Sequence, residues 1–390
     1  MTAMGKEHGA TQTPMQARDA HWMRQAVALS RDSLYLTSPN PRVACLIVRD
    51  GQLLASGVTQ RAGQAHAEVM ALRDAAARGV EVAGATFYVT LEPCNHHGRT
   101  PPCVDALLAA KPARVVVAMQ DPNPLVAGQG LERLRQAGIE VTAGVCADEA
   151  LEINPGFIAR MTRGTPWVWL KSAASLDGHT ALHNGASKWI TGAQARLDGQ
   201  HWRARSCAVL TGIGTIEADD PLLNVRDVPT SRQPVRAVID SQLRIDPQAK
   251  LFNGDPVWIF TTVEDAAKAE RLARRNARVI PMPAEGGRVH LPSVMRWLGR
   301  NDINEVHVEA GPTLNGALLR AGCADALLVY LAPTLLGDAR PMFALPALQT
   351  LEQAYSFVYT DVARIGQDVR LCAHRQDAWQ VLLAAVLPRA

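Results

Sequence analysis

The chain has 390 residues, a length that suits two domains, and 47% of them are apolar, so each half can bury its own core. The formal net charge is only +3, and no run of lysine or arginine marks a nucleic-acid or membrane surface. The seven cysteines are scattered and odd in number, which argues against a disulfide scaffold and favours a reducing cytoplasm. No apolar stretch is long enough to predict a transmembrane helix.

Residues 1–18 are polar and lack an apolar signal core, so they are interpreted as a disordered lead-in. The pattern after them alternates helices and strands, which predicts an α/β sandwich. Helices are predicted over 20–30, 65–78, 104–110 and 131–137, and strands over 43–48, 53–58, 85–91, 114–119 and 139–142. The first two strands form a hairpin that turns at Asp50-Gly51. Pro39-Asn40-Pro41 is incompatible with helix and predicts a rigid loop.

A group of metal-ligand residue types lies between positions 66 and 103. His66 starts a predicted helix, Cys94 follows a strand, and Cys103 begins the next helix, where a thiol has a lowered pKa. One imidazole and two thiolates suit zinc, and three protein ligands leave the fourth tetrahedral position for water. Glu68 can then shuttle a proton. This H-x-E…P-C…C pattern is typical of zinc-dependent nucleobase deaminases, although the second cysteine here comes nine residues after the first.

The second half again alternates strands and helices. Strands are predicted over 167–172, 206–210, 235–240, 257–261, 278–280, 305–309 and 327–331, and helices over 193–205, 264–275, 293–299 and 313–321. Asn154-Pro155-Gly156 is interpreted as a helix stop. The domain boundary is placed between residues 148 and 165, which predicts a first domain over 19–152 and a second over 165–390.

Two glycine-containing turns in the second half suggest an anion site. Gly212-Ile213-Gly214-Thr215 follows a strand but is weak evidence, since such glycines are more often plain turns. The G-x-G-x-x-G run of a standard Rossmann unit is missing. After the strand that ends at Glu309, Gly311 precedes a predicted helix, a geometry that suits a phosphate because free N–H groups point outward.

The motifs of the first half together resemble the deaminase domain of the bifunctional riboflavin-biosynthesis enzymes. They are Pro39-Asn40-Pro41, His66-Ala67-Glu68, Pro93-Cys94 with Gly98 to Cys103, and Asp121-Pro122-Asn123-Pro124. The resemblance implies a cytidine-deaminase-like three-layer sandwich that deaminates a diaminopyrimidinone ribose 5-phosphate. It implies that His66, Cys94 and Cys103 hold one zinc ion, that Glu68 shuttles the proton, and that Asn40, His96 and Arg99 contact the substrate. Thr59 and Ala44 depart from the usual family pattern.

The second half, from Lys171 to about Leu336, resembles the reductase domain of the same enzymes, with a dihydrofolate-reductase-like fold and NADPH as cofactor. The implied reaction reduces the ribosyl group to ribityl, with hydride delivered to the sugar C1′. The resemblance places these residues at the cofactor: Ala173, Trp189, Thr215, Asp219, Ser241, Gly311, Pro312, Thr313, Leu314 and Asn315. It places these at the substrate: Ser187, Arg203, Leu222, Arg226 and Glu309.

Lys171 and Asp219 are the candidates for proton handling at the opening sugar. A surface lysine and a helix-cap aspartate are the alternative interpretations. The family's strand aspartate is Cys207 here, which is expected to pack in the core. The family tends to form oligomers, so a homo-oligomer is expected. After about residue 340 the sequence predicts packing elements only.

Two rival hypotheses remain open. A polynucleotide deaminase needs a basic, aromatic-lined groove, and the near-neutral charge and 5% aromatic content speak against one. A purely structural zinc site would close with a fourth ligand, for which His96 and His97 are the nearby candidates.

Overall fold

The computed structural model describes residues 13–95, 101–123 and 126–388. Contacts divide the chain into two compact units. The first takes residues 1–33, 42–153 and 386–390, and the second takes 34–41 and 154–385, in each case as far as they are described. Residues 154–164, left between the two expected domains, therefore belong to the second unit. In the part of the chain that the structure describes, no helix is long and apolar enough to cross a membrane.

The first unit begins earlier than the sequence predicts. Helix α1 spans Pro14–Ser30, so Pro14 to Arg18 are helical and do not belong to the expected lead-in. Thr13 explains the early start, because its side chain accepts from the Gln16 N–H while the Gln16 side chain accepts from the Thr13 N–H. This reciprocal capping box satisfies two free donors at the helix end. Residues 1–12 of the lead-in lie outside the described part.

A five-stranded sheet forms the centre of the first unit, in the order β2-β1-β3-β4-β5. Its strands are β1 (Ala44–Arg49), β2 (Gln52–Val58), β3 (Thr86–Val89), β4 (Arg114–Val117) and β5 (Glu140–Ala143). Its other helices are α2 (Ala67–Ala77), α3 (Cys103–Ala110), α4 (Gln129–Gln136) and α5 (Ala147–Leu151). β1 and β4 are buried along almost their whole length, so both faces of the sheet are covered. The predicted hairpin is confirmed, with Asp50 and Gly51 at positive φ in its turn.

The second unit opens with helix α6 (Pro155–Arg163), which corrects one interpretation. Asn154-Pro155-Gly156 is a helix start and not a helix stop. Asn154 is the N-cap and Pro155 the first helical residue, where proline is favoured because its missing N–H has no partner in a helix anyway.

A nine-stranded sheet follows, in the order β11-β10-β9-β8-β14-β6-β15-β18-β17. The strands up to β15 are parallel, and β18 and β17 add an antiparallel edge. The sheet strands are β6 (Trp167–Ser175), β8 (Ala208–Gly212), β9 (Val235–Ile239), β10 (Val257–Thr261), β11 (Ala277–Pro281), β14 (Glu305–Glu309), β15 (Ala326–Ala332), β17 (Val358–Ile365) and β18 (Asp368–His374). Short strands outside it are β7 (His179–Ala181), β12 (Ala284–Glu285), β13 (Arg288–Val289) and β16 (Arg340–Pro341). The helices are α7 (Ala193–Arg205), α8 (Ile213–Asp219), α9 (Ala266–Ala273), α10 (Leu291–Arg300), α11 (Pro312–Arg320) and α12 (Gln376–Val386).

The strand order creates a switch point between β8 and β14. From β8 the chain runs outward through β9, β10 and β11, whereas from β14 it continues to β15 on the other side of β6. The loops after β8 and β14 therefore part at the carboxyl edge of the sheet, where open α/β sheets bind ligands.

β17 and β18 were not predicted. Most of β17 is exposed, so it lacks the alternation of buried and exposed residues that marks a strand.

Candidate functional site

Three metal-ligand side chains meet at the edge of the first unit. His66 is the N-cap of α2, Cys94 lies in the loop after β3, and Cys103 is the first residue of α3. His66 Nδ1 lies 3.6 Å from Cys94 Sγ and 3.3 Å from Cys103 Sγ, and all three ligand atoms lie within 4.8 Å of one another. The Cys103 backbone N–H donates to Cys94 Sγ. Residues far apart in sequence thus form one compact donor set.

This donor set fits zinc. Tetrahedral coordination with usual Zn–N and Zn–S bond lengths separates the nitrogen and sulfur ligands by about 3.5 Å, which both N–S distances match. Among the described residues the cluster contains three ligands, which leaves room for a fourth. His96 and His97, the alternative ligands, lie outside the described residues.

The protonation states of the cysteines also suit a cation. The Cys103 thiol donates towards Cys94, which lowers the pKa of Cys94 to about 4. The same contact raises the pKa of Cys103. A bound cation favours the thiolate form of both cysteines.

Glu68 lies in the first turn of α2 and is only 3% exposed. Burial raises the pKa of its carboxyl to about 7, with the Cys94 charge acting in the same direction. The neighbouring Cys103 thiol opposes this rise in the pKa of Glu68. A carboxyl group that is half ionised near neutral pH can both accept and donate a proton.

Gly57 allows α2 to pack closely on β2. A Cβ at this position would lie 2.6 Å from the Ala67 carbonyl oxygen and 2.7 Å from the Met70 carbonyl carbon, closer than real side chains approach. Ala67 stands between His66 and Glu68. The absence of a side chain at position 57 therefore sets the depth at which both functional residues sit.

Glu92 is a buried structural residue of the Cys94 loop that the sequence motifs do not predict. It is 3% exposed, and its carboxylate accepts from the backbone N–H groups of Asp121, Gly128, Gly130 and Leu131 at 2.9–3.3 Å. The carboxylate thereby joins the Cys94 loop to the Asp121 loop and to the start of α4. The sequence does show an acidic residue between an apolar strand and Pro93. When such a carboxylate is buried, several hydrogen-bond donors must surround it.

A cavity of about 1290 Å³ lies at the switch point of the second unit. Its wall includes the proton-handling candidate Lys171. It also includes most of the residues that the resemblance places at cofactor and substrate: Ala173, Ser187, Thr215, Asp219, Ser241, Glu309, Gly311, Pro312, Thr313 and Leu314. Gly212 and Gly311 are the N-caps of α8 and α11 on its two sides. A Cβ on Gly212 would touch Leu314, so the two turns lie close together.

A cluster of charged side chains lies beside this cavity. Lys171 and Glu309 are directly paired in the register of β6 and β14. Arg203 makes two hydrogen bonds to the Glu309 carboxylate and a third, of 2.8 Å, to the Asn224 carbonyl oxygen. Burial opposes ionisation of Glu309, but Arg203 and the fully buried His307 hold the pKa of this carboxyl well below its usual range. Burial also lowers the pKa of Lys171.

Five predicted residues lie elsewhere than in the cavity wall. Trp189 is 69% exposed, with the Arg196 guanidinium 4.4 Å above its ring. Asn315 is buried and donates to the Ala310 and Met342 carbonyl oxygens. The remaining three are Leu222, the exposed Arg226, and Arg203, whose guanidinium is bound to the Glu309 carboxylate.

Asp219 does not fit its alternative interpretation as a helix cap, and only one of the three expected deaminase substrate contacts lies in the described part of the chain. Asp219 ends α8 and forms a 3.1 Å ion pair with Lys188, so it does not cap a helix N-terminus. Asn40 lies in the 34–41 segment, where its N–H donates to the Thr37 carbonyl oxygen. His96 and Arg99 lie outside the described residues. Cys207 is buried in the core next to β8, as expected.

Comparison with known proteins gives the chain a family. The RibD C-terminal domain matches residues 166–371, and the cytidine and deoxycytidylate deaminase zinc-binding region matches residues 16–119. The riboflavin biosynthesis protein RibD of Escherichia coli K12 is 48% identical over 371 residues, which cover 92% of this chain and 99% of that protein. The chain belongs to the RibD family.

Solved RibD structures share the whole architecture. Acinetobacter baumannii RibD has 44% identity and a TM-score of 0.83, covering 92% of this chain and 99% of its own. A deaminase/reductase from Thermotoga maritima has 31% identity with the same TM-score and coverage. The predicted resemblance and the α/β fold class, with a deaminase-like first domain and a RibD reductase second domain, are confirmed.

RibD membership makes the chain a bifunctional enzyme of riboflavin biosynthesis with deaminase and reductase activities. Zinc and NADPH are its cofactors. It acts on a small molecule.

Proposed function

We propose that the first unit deaminates a diaminohydroxyphosphoribosylaminopyrimidine and that the second unit reduces the ribosyl group of the resulting aminouracil to ribityl. The Thermotoga maritima relative carries these two activities, at 31% identity over nearly its whole length. The single observation that carries the proposal is the convergence of His66, Cys94 and Cys103 beside the buried Glu68, in one chain with a ligand cleft at a sheet switch point.

In the deaminase unit, His66, Cys94 and Cys103 would hold zinc, which supplies the Lewis acidity that makes water nucleophilic near neutral pH. Glu68 takes a proton from the attacking water and passes a proton to the departing amino group. The ring carbon gains an oxygen and loses its nitrogen as ammonia. The pKa of about 7 for Glu68 suits both transfers.

Asn40, His96 and Arg99 are the proposed substrate contacts of the deaminase unit. The substrate is a phosphate ester, and a guanidinium such as that of Arg99 binds phosphate through two parallel hydrogen bonds. The support for these three residues is their place in the family motifs.

In the reductase unit, the residues of the cavity wall would hold NADPH, which would supply the hydride for C1′ of the sugar. Lys171 is the proposed donor of the proton that the ring oxygen gains as the sugar opens, because it lines the cavity and burial lowers its pKa. Asp219 is the second candidate, and it lines the same cavity. Arg203 is proposed to orient Glu309, because its guanidinium is bound to that carboxylate. The exposed Arg226 is therefore the proposed partner of the substrate phosphate.

Leu222 and Ser187 are the remaining proposed substrate contacts. Ala173, Thr215, Ser241 and the Gly311 to Leu314 turn are proposed to line the cofactor, in agreement with their positions in the cavity wall. Trp189 and Asn315 keep their proposed cofactor role on the family pattern alone.

The proposed setting is the cytoplasm, where a reducing environment keeps thiol ligands free, and all seven cysteines are free. A homo-oligomer is also proposed. Its support is β17, an edge strand with Tyr359 66% and Val362 62% exposed, because exposed apolar edges commonly pair with another chain.

An anaerobic assay of the purified, zinc-loaded chain tests the function. The diaminopyrimidine phosphate should release one ammonia per substrate without NADPH. Adding NADPH should then give its oxidation in equal amount. Absence of ammonia release would refute the deaminase half, and failure of the deaminated intermediate to oxidise NADPH would refute the reductase half.

A further inference from the structure

Helix α4 contains neither a proposed zinc ligand nor one of the family motifs, yet it packs on the segment that leads to Cys94. At its start, the Gly130 N–H donates at 2.9 Å to the carboxylate of Glu92, which lies two residues before Cys94. A Cβ at Gly130 would overlap the Pro93 carbonyl oxygen. The helix therefore lies directly against the backbone that carries this thiol.

Arg133 lies about one turn further along α4 and contacts the segments of both cysteines. Its Nη1 donates to Asn95 Oδ1 at 3.0 Å, and its Nη2 forms a 2.7 Å ion pair with Asp105 Oδ1. Asn95 follows Cys94 directly, and Asp105 lies two residues after Cys103 in the first turn of α3. One guanidinium thus bridges the loop of one thiol and the helix of the other.

Two backbone contacts join the same segments close to the thiols. The Cys103 N–H donates to Cys94 Sγ at 3.3 Å, and the Val104 N–H donates to the Cys94 carbonyl oxygen at 3.3 Å. A shift of α3 against the Cys94 loop therefore changes the distance between two thiols that must meet one ion. Arg133 opposes such a shift, because a planar guanidinium presents its donors in a fixed geometry.

We propose that Arg133 is a positioning residue of the metal site, which holds Cys94 and Cys103 at the spacing that zinc requires. It acts through Asn95 and Asp105. Removal of a group that orients metal ligands typically lowers metal affinity by about 10–100-fold, because the ligands must then become ordered as the ion binds. This inference rests on the proposed zinc ligands of the first unit.

An ordinary surface ion pair is the first competing explanation. The Arg133 and Asp105 side chains are 42% and 41% exposed, and an ion pair this open contributes little to folding stability. Such a pair would leave zinc affinity unchanged when it is broken. A positioning residue would instead lower zinc affinity without lowering the stability of the zinc-free chain.

A ligand contact is the second competing explanation. Arg133 lines an open cleft of about 530 Å³ together with Asn95, Gln129 and Gln136. If Arg133 bound the substrate there, its removal would raise the KM for ammonia release and leave zinc affinity unchanged.

Chelator competition on the zinc-free full chain measures zinc affinity, and the visible absorption of the cobalt-loaded chain reports the coordination geometry. Arg133→Gln should weaken zinc binding about tenfold or more and alter the cobalt spectrum. Arg133→Lys should not restore either property, because one ammonium on a flexible stem lacks the fork that spans both acceptors. Arg135→Gln, an exposed arginine of the same helix paired with Glu132, is the matched control.

Asp105→Ala breaks the same bridge from its other end. It should also weaken zinc binding, and the double variant with Arg133→Gln should lose less than the product of the two single effects, because both remove one shared contact. If Arg133→Gln does not fold, Asp105→Ala carries the same test. The denaturant midpoint of the zinc-free variants and their reductase rate should match the wild type.

Zinc affinity and cobalt spectra of Arg133→Gln that equal those of Arg135→Gln would overturn the proposal. A loss of affinity that only parallels a loss of zinc-free stability would also overturn it, and so would a raised KM with unchanged zinc affinity. A wild-type chain that binds no zinc would instead refute the proposed metal site, which separates the two failures.

Discussion

Lys171 and Glu309 are register partners on β6 and β14, yet the Glu309 carboxylate is bound by Arg203 and not by the lysine. The lysine thus borders the cavity and forms no ion pair with a carboxylate of the described residues, and burial lowers its pKa. This combination supports the proposed role of Lys171 as a proton donor.

Lys171→Met should lower reductase kcat by about 10²–10⁴-fold, the usual contribution of a general acid, while ammonia release stays unchanged. The wild-type rate of NADPH oxidation should fall as pH rises through the lowered lysine pKa, since only the protonated amine can donate. This alkaline limb should be missing in the variant. An unaltered pH profile would remove Lys171 from the reaction.

Glu68→Gln should keep zinc and lose about 10²–10⁴-fold in ammonia release, because the amide cannot carry the proton. Zinc per chain, measured by atomic absorption, and the reductase rate should both match the wild type. Glu81→Gln, an exposed residue of the same unit, is the control. Equal ammonia release by both variants would show that Glu68 is not the shuttle.

Gly57→Ala should destabilise the first unit by about 1–3 kcal/mol, because the added methyl group overlaps the backbone of α2. Displacement of His66 should also lower the zinc content. Denaturant unfolding and metal analysis check these outcomes. Gly199→Ala in α7, with nothing within 4 Å of the new methyl group, should be neutral or stabilising.

Glu92→Gln should weaken the attachment of the Asp121 loop and α4, because an amide has one acceptor oxygen where the carboxylate has two. The free energy cost should be about 1–3 kcal/mol. Hydrogen exchange should accelerate at the amides of Asp121, Gly128, Gly130 and Leu131, and the exposed Glu132→Gln should leave them protected. Unchanged protection would mean that other contacts hold this loop.

Val362→Lys on β17 should dissociate the proposed oligomer without unfolding the chain, because the substituted side chain is already 62% exposed. Light scattering after gel filtration measures the mass. Val381→Lys on α12, with a comparable exposure of 61%, serves as the control. A monomeric wild-type chain would disprove the oligomer at once.

Local features of the chain were predictable from its sequence. The meeting of His66, Cys94 and Cys103, the proposed zinc ligands, follows from residue types with fixed chemistry. The β1–β2 hairpin follows from the turn preference of Asp50-Gly51. The start of α6 was misread because a proline after asparagine both ends and begins helices, and only packing decides.

Long-range pairings were not predictable. Arg203 and Glu309 stand 106 residues apart, and each alone has the sequence character of a substrate contact. Glu92 accepts from four amides in a distant loop and helix, and its position at a strand end does not reveal these partners. β17 escaped prediction because its side chains remain exposed.

The place of β14 between β8 and β6 has a consequence for biosynthesis of the protein. β14 begins 97 residues after the start of β8 and 138 residues after the start of β6, the two strands that flank it. Until residue 309 has left the ribosome, β6 and β8 lack the strand that lies between them in the sheet, and their apolar residues lack its packing. The central sheet of the second unit is therefore completed late and through contacts of high sequence separation, which predicts slow folding of this unit.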